Sequence, residues 1–238
     1  MRTFGLIGKN LIHSFSKQYF SEKFIKKKIT NTQYLHFELE NISEFKGLIK
    51  KTKIHGLNVT IPYKKSIIPF LDELSEEASL IGAVNTIHFN KGKLIGYNTD
   101  YIGFKKSIQP LLKGRNKALV LGNGGASKAI QYALIQLGIK FKIISRNTSF
   151  DYSDIIKQTT EYYSIIINTT PLGSYPKIDQ QPNIPYKYLN KNNLLFDVIY
   201  NPNETKFLAY GRARNTQTKN GVEMLKIQAE ESWKIWNQ

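Results

Sequence analysis

A short apolar run from Lys117 to Leu121 breaks on Gly122, Gly124 and Gly125 and passes directly into a helical pattern over residues 126–136. Few segments of this length restrict a fold so tightly. Gly122 permits a tight turn at a strand end, and Gly124 and Gly125 remove side chains where a pyrophosphate approaches. The helix that follows points its first amides and the positive end of its dipole at the anion. A glycine cluster can also mark nothing more than a close strand-to-helix turn, and the next strand carries the further argument. Residues 140–144 read as that strand, and it runs into Ser145, Arg146 and Asn147. An NAD site has an acidic residue about 20 residues past the glycines, whereas an Arg suits the 2′-phosphate of NADP. Strand, glycine turn, helix, strand and Arg together predict NADP binding.

Composition removes several other classes of function. No apolar run approaches the roughly 20 residues of a membrane span. The N-terminal residues lack the apolar core of a signal peptide, so secretion is not expected. There is no Cys, which excludes disulfides, thiolate metal sites and Cys nucleophiles and suits the cytoplasm. The histidines, His13, His36, His55 and His88, are scattered without metal-ligand spacing, so no metal is expected. The formal charge of +16 comes overwhelmingly from Lys spread along the chain, with only five Arg. Specific nucleic-acid recognition leans on Arg forks, so neither nucleic acid nor membrane is an expected partner. A positive field still favours an anionic substrate and cofactor.

The first hundred residues alternate strand-like and helix-like segments. Strands are predicted over residues 4–7, 33–39 and 56–60. Helices are predicted over 16–28, over 43–51 with Ser43 as cap, from Pro62 onward, and over 74–81. A hairpin turns at Asn90, Lys91 and Gly92. A helix over 101–112 leads into the glycine-loop unit, and later strands fall at 164–168 and 194–199. Residues 205–212 are helical. Residues 221–236 carry Val222, Leu225, Ile227, Ala229, Trp233 and Trp236 on an apolar helix face. The reading is α/β with two domains joined near residue 100, the second opening a Rossmann-type sheet.

Polar residues cluster at strand ends in the first half. Ser14 and Ser16 follow a strand-ending Gly8 and either cap a helix or converge with its amides on a substrate carboxylate. Asn58 and Thr60 close a strand, Lys64 and Lys65 follow, Asn85 and Thr86 sit within a strand, and Asn98, Thr99 and Asp100 read equally as a helix cap. Ser, Thr, Lys, Asn and Asp at strand ends suit a hydroxylated acid. A Lys with an Asp offers a proton donor to a reducible carbonyl.

Eight motifs in order resemble the shikimate dehydrogenases. They are Gly5–Gly8 with His13–Ser16, Asn58–Lys64, Ile81–Thr86, Gly96–Asp100, Gly122–Ser127, Asn168–Gly173, Asp197–Pro202, and Asn220–Leu225 followed by Gln228. The resemblance spans the whole chain. It implies a substrate-binding domain over 1–100, an NADP-binding Rossmann domain over 101–219, and a helix over 220–238 that returns to the first domain. It implies reversible, NADPH-dependent reduction of 3-dehydroshikimate to shikimate in aromatic amino-acid biosynthesis, by a monomer or homodimer. By the same resemblance Lys64 is the acid/base, held against Asp100. Ser14 and Ser16 bind the carboxylate, and Tyr200 lies near it. Thr60, Asn85, Asp100 and Gln228 hold ring hydroxyls. Gly122, Gly124, Gly125 and Ala126 cradle the pyrophosphate. Ser145, Arg146 and Asn147 surround the 2′-phosphate, Thr169 borders the cofactor, and Gly221 and Met224 meet the nicotinamide. Lys17 and Asn10 stand where the family often has Pro. Phe150 stands where many NADP-specific members carry a second Arg, which implies weaker discrimination against NAD. An NAD-dependent quinate/shikimate dehydrogenase is the alternative enzyme, and a non-catalytic nucleotide-binding regulator is the alternative of another class. Both Ser14 and Ser16 favour shikimate over quinate, and Lys64 with Asp100 speaks against a regulator.

Overall fold

The computed structural model describes residues 1–12, 14–145, 152 and 155–238. The chain divides into two compact units. One comprises Met1–Thr99 with Gln228–Gln238, and the other is Asp100–Ile227.

The first unit is built on a six-stranded mixed sheet ordered β2-β1-β3-β5-β6-β4. Its elements are β1 (Arg2–Gly8), α1 (Phe15–Lys26), β2 (Thr32–Glu38), α2 (Phe45–Lys51), β3 (Gly56–Val59), β4 (Glu73–Leu74), α3 (Glu76–Ile81), β5 (Thr86–Asn90) and β6 (Lys93–Tyr97). β1 pairs in parallel with both β2 and β3, because α1 and α2 supply the crossovers that parallel neighbours need. β3, β5 and β6 pair antiparallel in turn, and the last two are joined by the short turn at Lys91 and Gly92. Both faces of the sheet are covered. Phe4 and Leu6 of β1 join Phe20, Phe24, Tyr34 and Trp236 on one side, while Ile7 joins Phe45, Ile67, Val84 and Ile87 on the other. A strand buried on both faces reads as a continuous apolar run, as β1 does.

The second unit holds a wholly parallel five-stranded sheet ordered β11-β10-β9-β7-β8. Its elements are α4 (Asp100–Ile108), β7 (Lys117–Leu121), α5 (Gly125–Gln136), β8 (Lys140–Ile144), α6 (Lys157–Tyr162), β9 (Ile165–Asn168), β10 (Leu194–Asp197), α7 (Lys206–Arg212) and β11 (Gln217–Lys219). Alternate residues of β7 and β9 face two cores. Ala118, Val120, Ile165 and Ile167 enter one, and Leu119, Leu121 and Ile166 enter the other. The chain leaves β7 toward β8 on one side and returns to β9 on the other. That reversal is the switch point at which α/β sheets bind ligands, as the glycine turn predicts. The final helix, α8 (Val222–Ile235), contributes its last turns to the first unit.

Three local expectations are corrected. Pro62 opens no α-helix. Residues 61–67 form successive turns, because the Lys64 carbonyl accepts the Val84 N–H at 2.7 Å and the Ile68 N–H turns to Lys65, so no helical ladder propagates. The cap ahead of the second helix is Asn41 rather than Ser43, and it opens a 3-10 turn, Ile42–Glu44, that runs into α2. Its side chain accepts the Ser43 N–H, while Glu44 reaches back to the Asn41 N–H in a capping box. Leu74 belongs to the short edge strand β4, and the helix begins after Ser75, whose hydroxyl caps it at Ala78 N–H. The sequence reading passed over α6 and β11, both short and rich in Thr, Gln and Lys.

Candidate active site

In the first unit the polar residues converge in a buried hydrogen-bonded chain. Ser14 caps α1 by accepting the Ser16 N–H at 3.3 Å. Ser16 is itself buried, and Tyr34 donates its hydroxyl to Asn58 Oδ1 at 2.8 Å. Burial holds the Tyr34 hydroxyl far above its ordinary pKa, so it stays a neutral donor. Asn58 Nδ2 reaches Ser232 Oγ at 2.9 Å, Thr86 Oγ1 at 3.2 Å and the Asn85 carbonyl at 3.2 Å. Asn85 accepts the Thr99 N–H at 2.7 Å and presents Nδ2 to Thr99 Oγ1 at 2.9 Å and to Gln228 Oε1 at 3.3 Å. Apart from Ser14, which is half-buried, each of these residues is at least nine-tenths buried, a costly arrangement unless every donor finds a partner.

Thr60 and Lys64 flank this chain. Thr60 leaves β3 with its N–H on the Ile7 carbonyl at 2.9 Å. Lys64 lies on the following turn, fixed through its carbonyl to Val84 next to Asn85. Asp100 is buried and opens α4, immediately after Thr99. Sequence reading singled out most of this set. It passed over Tyr34 and Ser232, which sit in an apolar strand pattern and on an apolar helix face, where only their complete burial betrays them.

In the second unit the glycine turn is built as the sequence predicts. Gly122 has φ 107°, and a Cβ there would lie 2.7 Å from Thr169 Oγ1, so only glycine fits. Thr169 is held by its hydroxyl on the Leu121 carbonyl at 2.6 Å, which ties the loop after β9 to the end of β7. Ser127 closes the turn by donating to the Gly122 carbonyl at 2.7 Å. Gly124 is the cap residue of α5 and is exposed, with Gly125 and Ala126 in the first turn. Exposed amides at the start of a twelve-residue helix, with no acidic side chain in its first turn, fit a pyrophosphate. Ser145 ends β8. Arg146, Asn147 and Phe150 lie outside the described residues. Tyr200 is half-buried after β10, the Gly221 N–H bonds to the Ile199 carbonyl at 3.0 Å, and Met224 is almost fully buried against the core. Among the described residues, no group of three or more His, Asp or Glu is placed to hold a metal ion, and no helix is long and apolar enough to cross a membrane.

Asn168 and Asp197 pair at the ends of β9 and β10, where the loops bearing Thr169 and Tyr200 begin. Asp197 accepts from Asn168 Nδ2 at 3.1 Å, Ile199 N–H at 3.0 Å and Thr205 Oγ1 at 2.6 Å. Burial nevertheless pushes its carboxyl up to about 6, against those bonds. A folded pKa above the unfolded value means that this group's contribution is fully present in acid, below the unfolded pKa near 3.8, and is lost as pH rises through about 6. Asp197→Asn keeps the shape and removes the titration. Unfolding followed at pH 4.5 and at pH 7.5 is expected to show the variant gaining on the wild type by about 2 kcal/mol across that interval. An equal difference at both pH values would show that Asp197 carries no such penalty.

Known proteins match the chain over its full length. A family model for the shikimate dehydrogenase substrate-binding domain covers residues 6–87. A shikimate dehydrogenase (NADP(+)) of Clostridium beijerinckii is 43% identical, covering 100% of this chain and 93% of that protein. The crystal structure of shikimate dehydrogenase 1 from Peptoclostridium difficile superposes with a TM-score of 0.90 at 40% identity, covering 100% of this chain and 92% of that one. The shikimate 5-dehydrogenase of Thermus thermophilus, crystallised with NADP(H) and shikimate, gives a TM-score of 0.87 at 26% identity and covers 99% and 93%.

Proposed function

The chain belongs to the shikimate dehydrogenase family, and from that membership we propose that it interconverts 3-dehydroshikimate and shikimate with NADP(H), as a step of aromatic amino-acid biosynthesis. The observation that carries this reading is the buried hydrogen-bonded network that joins Tyr34, Asn58, Asn85 and Gln228. It gathers hydroxyls and amides next to Val84, on whose N–H the Lys64 turn is fixed, in a chain that also provides a dinucleotide-type glycine turn. Residues 1–100 serve as the substrate domain, 101–219 as the cofactor domain, and the closing helix returns Gln228 to the substrate. Ser14 and Ser16 take the carboxylate. Thr60, Asn85, Asp100 and Gln228 take the ring hydroxyls, and Tyr200 lies toward the carboxylate. Gly122, Gly124, Gly125 and Ala126 receive the pyrophosphate, with Ser145, Arg146 and Asn147 around the 2′-phosphate and Thr169, Gly221 and Met224 along the rest of the dinucleotide.

When bound, the nicotinamide supplies the hydride in reduction and takes it in oxidation. The protein's own share is position and a proton. Lys64, as the ammonium, gives its proton to the ketone oxygen as the hydride reaches the carbon, leaving a hydroxyl. In the reverse direction the neutral amine takes that proton back. Asp100 holds Lys64 toward the reacting oxygen. The residues around them fix the ring so that the oxygen meets Lys64 rather than water. The cysteine-free chain suits a reducing compartment, and the reading places the enzyme in the cytoplasm.

The test is oxidation of shikimate and of quinate, each with NADP and with NAD. Shikimate with NADP is expected to give the highest kcat/KM. No turnover of shikimate with either cofactor would overturn the reading, and faster turnover of quinate with NAD would replace it with the alternative enzyme. Cofactor choice has its own handle. A guanidinium, as at Arg146, can fork onto a 2′-phosphate and stack on adenine. Arg146→Ala is expected to cost about 1.5–3 kcal/mol, or roughly ten- to a hundredfold in kcat/KM for NADP, with NAD use nearly unchanged. Equal losses with both cofactors would show that Arg146 supports its loop instead.

A further inference from the structure

Ser232 is the point where the buried network gathers, and no motif in the chain marks it. Its side chain is inaccessible to solvent. Oγ accepts from Asn58 Nδ2 at 2.9 Å and lies 2.8 Å from Thr86 Oγ1 and 3.2 Å from Thr99 Oγ1. It is also 3.0 Å from the carbonyl of Gln228, one helical turn earlier on the same face of α8. An alanine at this place would complete the apolar face of the helix equally well. A hydroxyl here therefore has a role other than packing.

The directions of these bonds follow from which groups can only donate. The Thr99 backbone N–H is an obligate donor, and it meets Asn85 Oδ1 at 2.7 Å. That fixes the Asn85 amide, so Nδ2 faces Thr99 Oγ1 and Gln228 Oε1. Thr86 Oγ1 gives its proton to the same Asn85 oxygen at 3.0 Å, and the single proton of Ser232 Oγ goes to the Gln228 carbonyl at 3.0 Å. With Asn85 so fixed, the Gln228 amide is set with its oxygen toward Asn85 Nδ2, and Nε2 is the end turned from it.

We propose that Ser232 is a positioning residue for substrate binding. It docks the turn of α8 that carries Gln228 onto β3 and β5, through Asn58 and Thr86, and so holds the Gln228 side chain at Asn85 where the substrate is read. The inference rests on the reading of Asn85 and Gln228 as ring-hydroxyl ligands.

The test is a double-mutant cycle of Ser232→Ala and Gln228→Ala in the full-length protein, with wild-type oxidation of shikimate by NADP measured first. Ser232→Ala is expected to raise KM for shikimate about two- to tenfold, the span of one buried hydrogen bond, with kcat and KM for NADP held within about twofold. In the Gln228→Ala background the same substitution is expected to add nothing. Ser232→Cys, close in size and weak in hydrogen bonding, is the second variant and is expected to shift KM in the same direction. An unchanged KM in folded Ser232→Ala overturns the inference. So do equal increments in the two backgrounds, a loss of kcat with both KM values unchanged, or failure of both Ser232 variants to fold. A wild type that does not oxidise shikimate overturns the functional reading, and this inference with it.

Discussion

Lys64→Ala is expected to lower kcat for shikimate oxidation by about 10²–10⁴, the usual span for a general acid–base, with a smaller effect on KM. The turn that carries Lys64 is anchored by its own carbonyl on Val84 and by the Tyr63 hydroxyl on the Leu39 carbonyl at 2.5 Å. Neither anchor involves the Lys64 side chain, so the truncated variant is expected to keep its fold and its affinity for NADP. Steady-state kinetics alongside a cofactor titration checks both parts. Wild-type turnover by the variant would take the acid–base role from Lys64. A parallel loss of cofactor binding would show that the damage is structural.

The second large effect is on stability. Trp236 is nearly inaccessible and lies over Phe4 with ring centroids 5.0 Å apart, while Phe20 approaches at 5.5 Å. Its indole N–H donates to the Ile87 carbonyl at 3.0 Å. The strand beneath is shaped for it, since a Cβ at Gly56 would run into the indole ring. Trp236→Ala removes a large buried ring and leaves its contacts unfilled, at an expected cost of about 3–5 kcal/mol. Trp236→Phe keeps most of the apolar volume and loses the hydrogen bond to the Ile87 carbonyl, which stays within the sheet, and is expected to cost about 0.5–1.5 kcal/mol. Urea unfolding followed by circular dichroism checks the order of the two. An Ala variant as stable as the Phe variant would mean that the site collapses around the missing ring.

The glycine turn of the Rossmann-type unit is more legible in the sequence than the network of the first unit, for a physical reason. It is local, complete within residues 117–128, whereas α6 and β11 of the same unit are short and polar and give no such signal. The network of the first unit is assembled from residues far apart in sequence. Asn58, Asn85 and Thr99 announce themselves as polar residues at strand ends. Ser232 does not, because a Ser on an apolar helix face reads as a small residue, and only the strands opposite reveal what its hydroxyl meets. The turn after Pro62 misreads for a similar reason. A proline followed by Tyr, Lys and Lys suits a helix locally, but the Lys64 carbonyl is claimed by Val84, twenty positions along. The Asn41 cap hides behind Ser43, an equally good capping residue two positions later.

The buried bonds to Ser232 also bear on how the protein is made. Asn58 waits for a partner 174 positions downstream, and Thr86 for the same partner 146 positions downstream. At roughly 5–20 residues per second of synthesis, the first sheet is exposed for about ten to thirty seconds with polar groups on a face that is meant to be dry. The Asp100–Ile227 unit is by then already in the emerging chain and contiguous, free to form on its own. The first unit is thus the part of the nascent chain whose polar groups wait longest for their partners. A chain that ends before residue 228 lacks both Gln228 and Ser232, and leaves Asn58, Asn85 and Thr86 without the bonds that close the network.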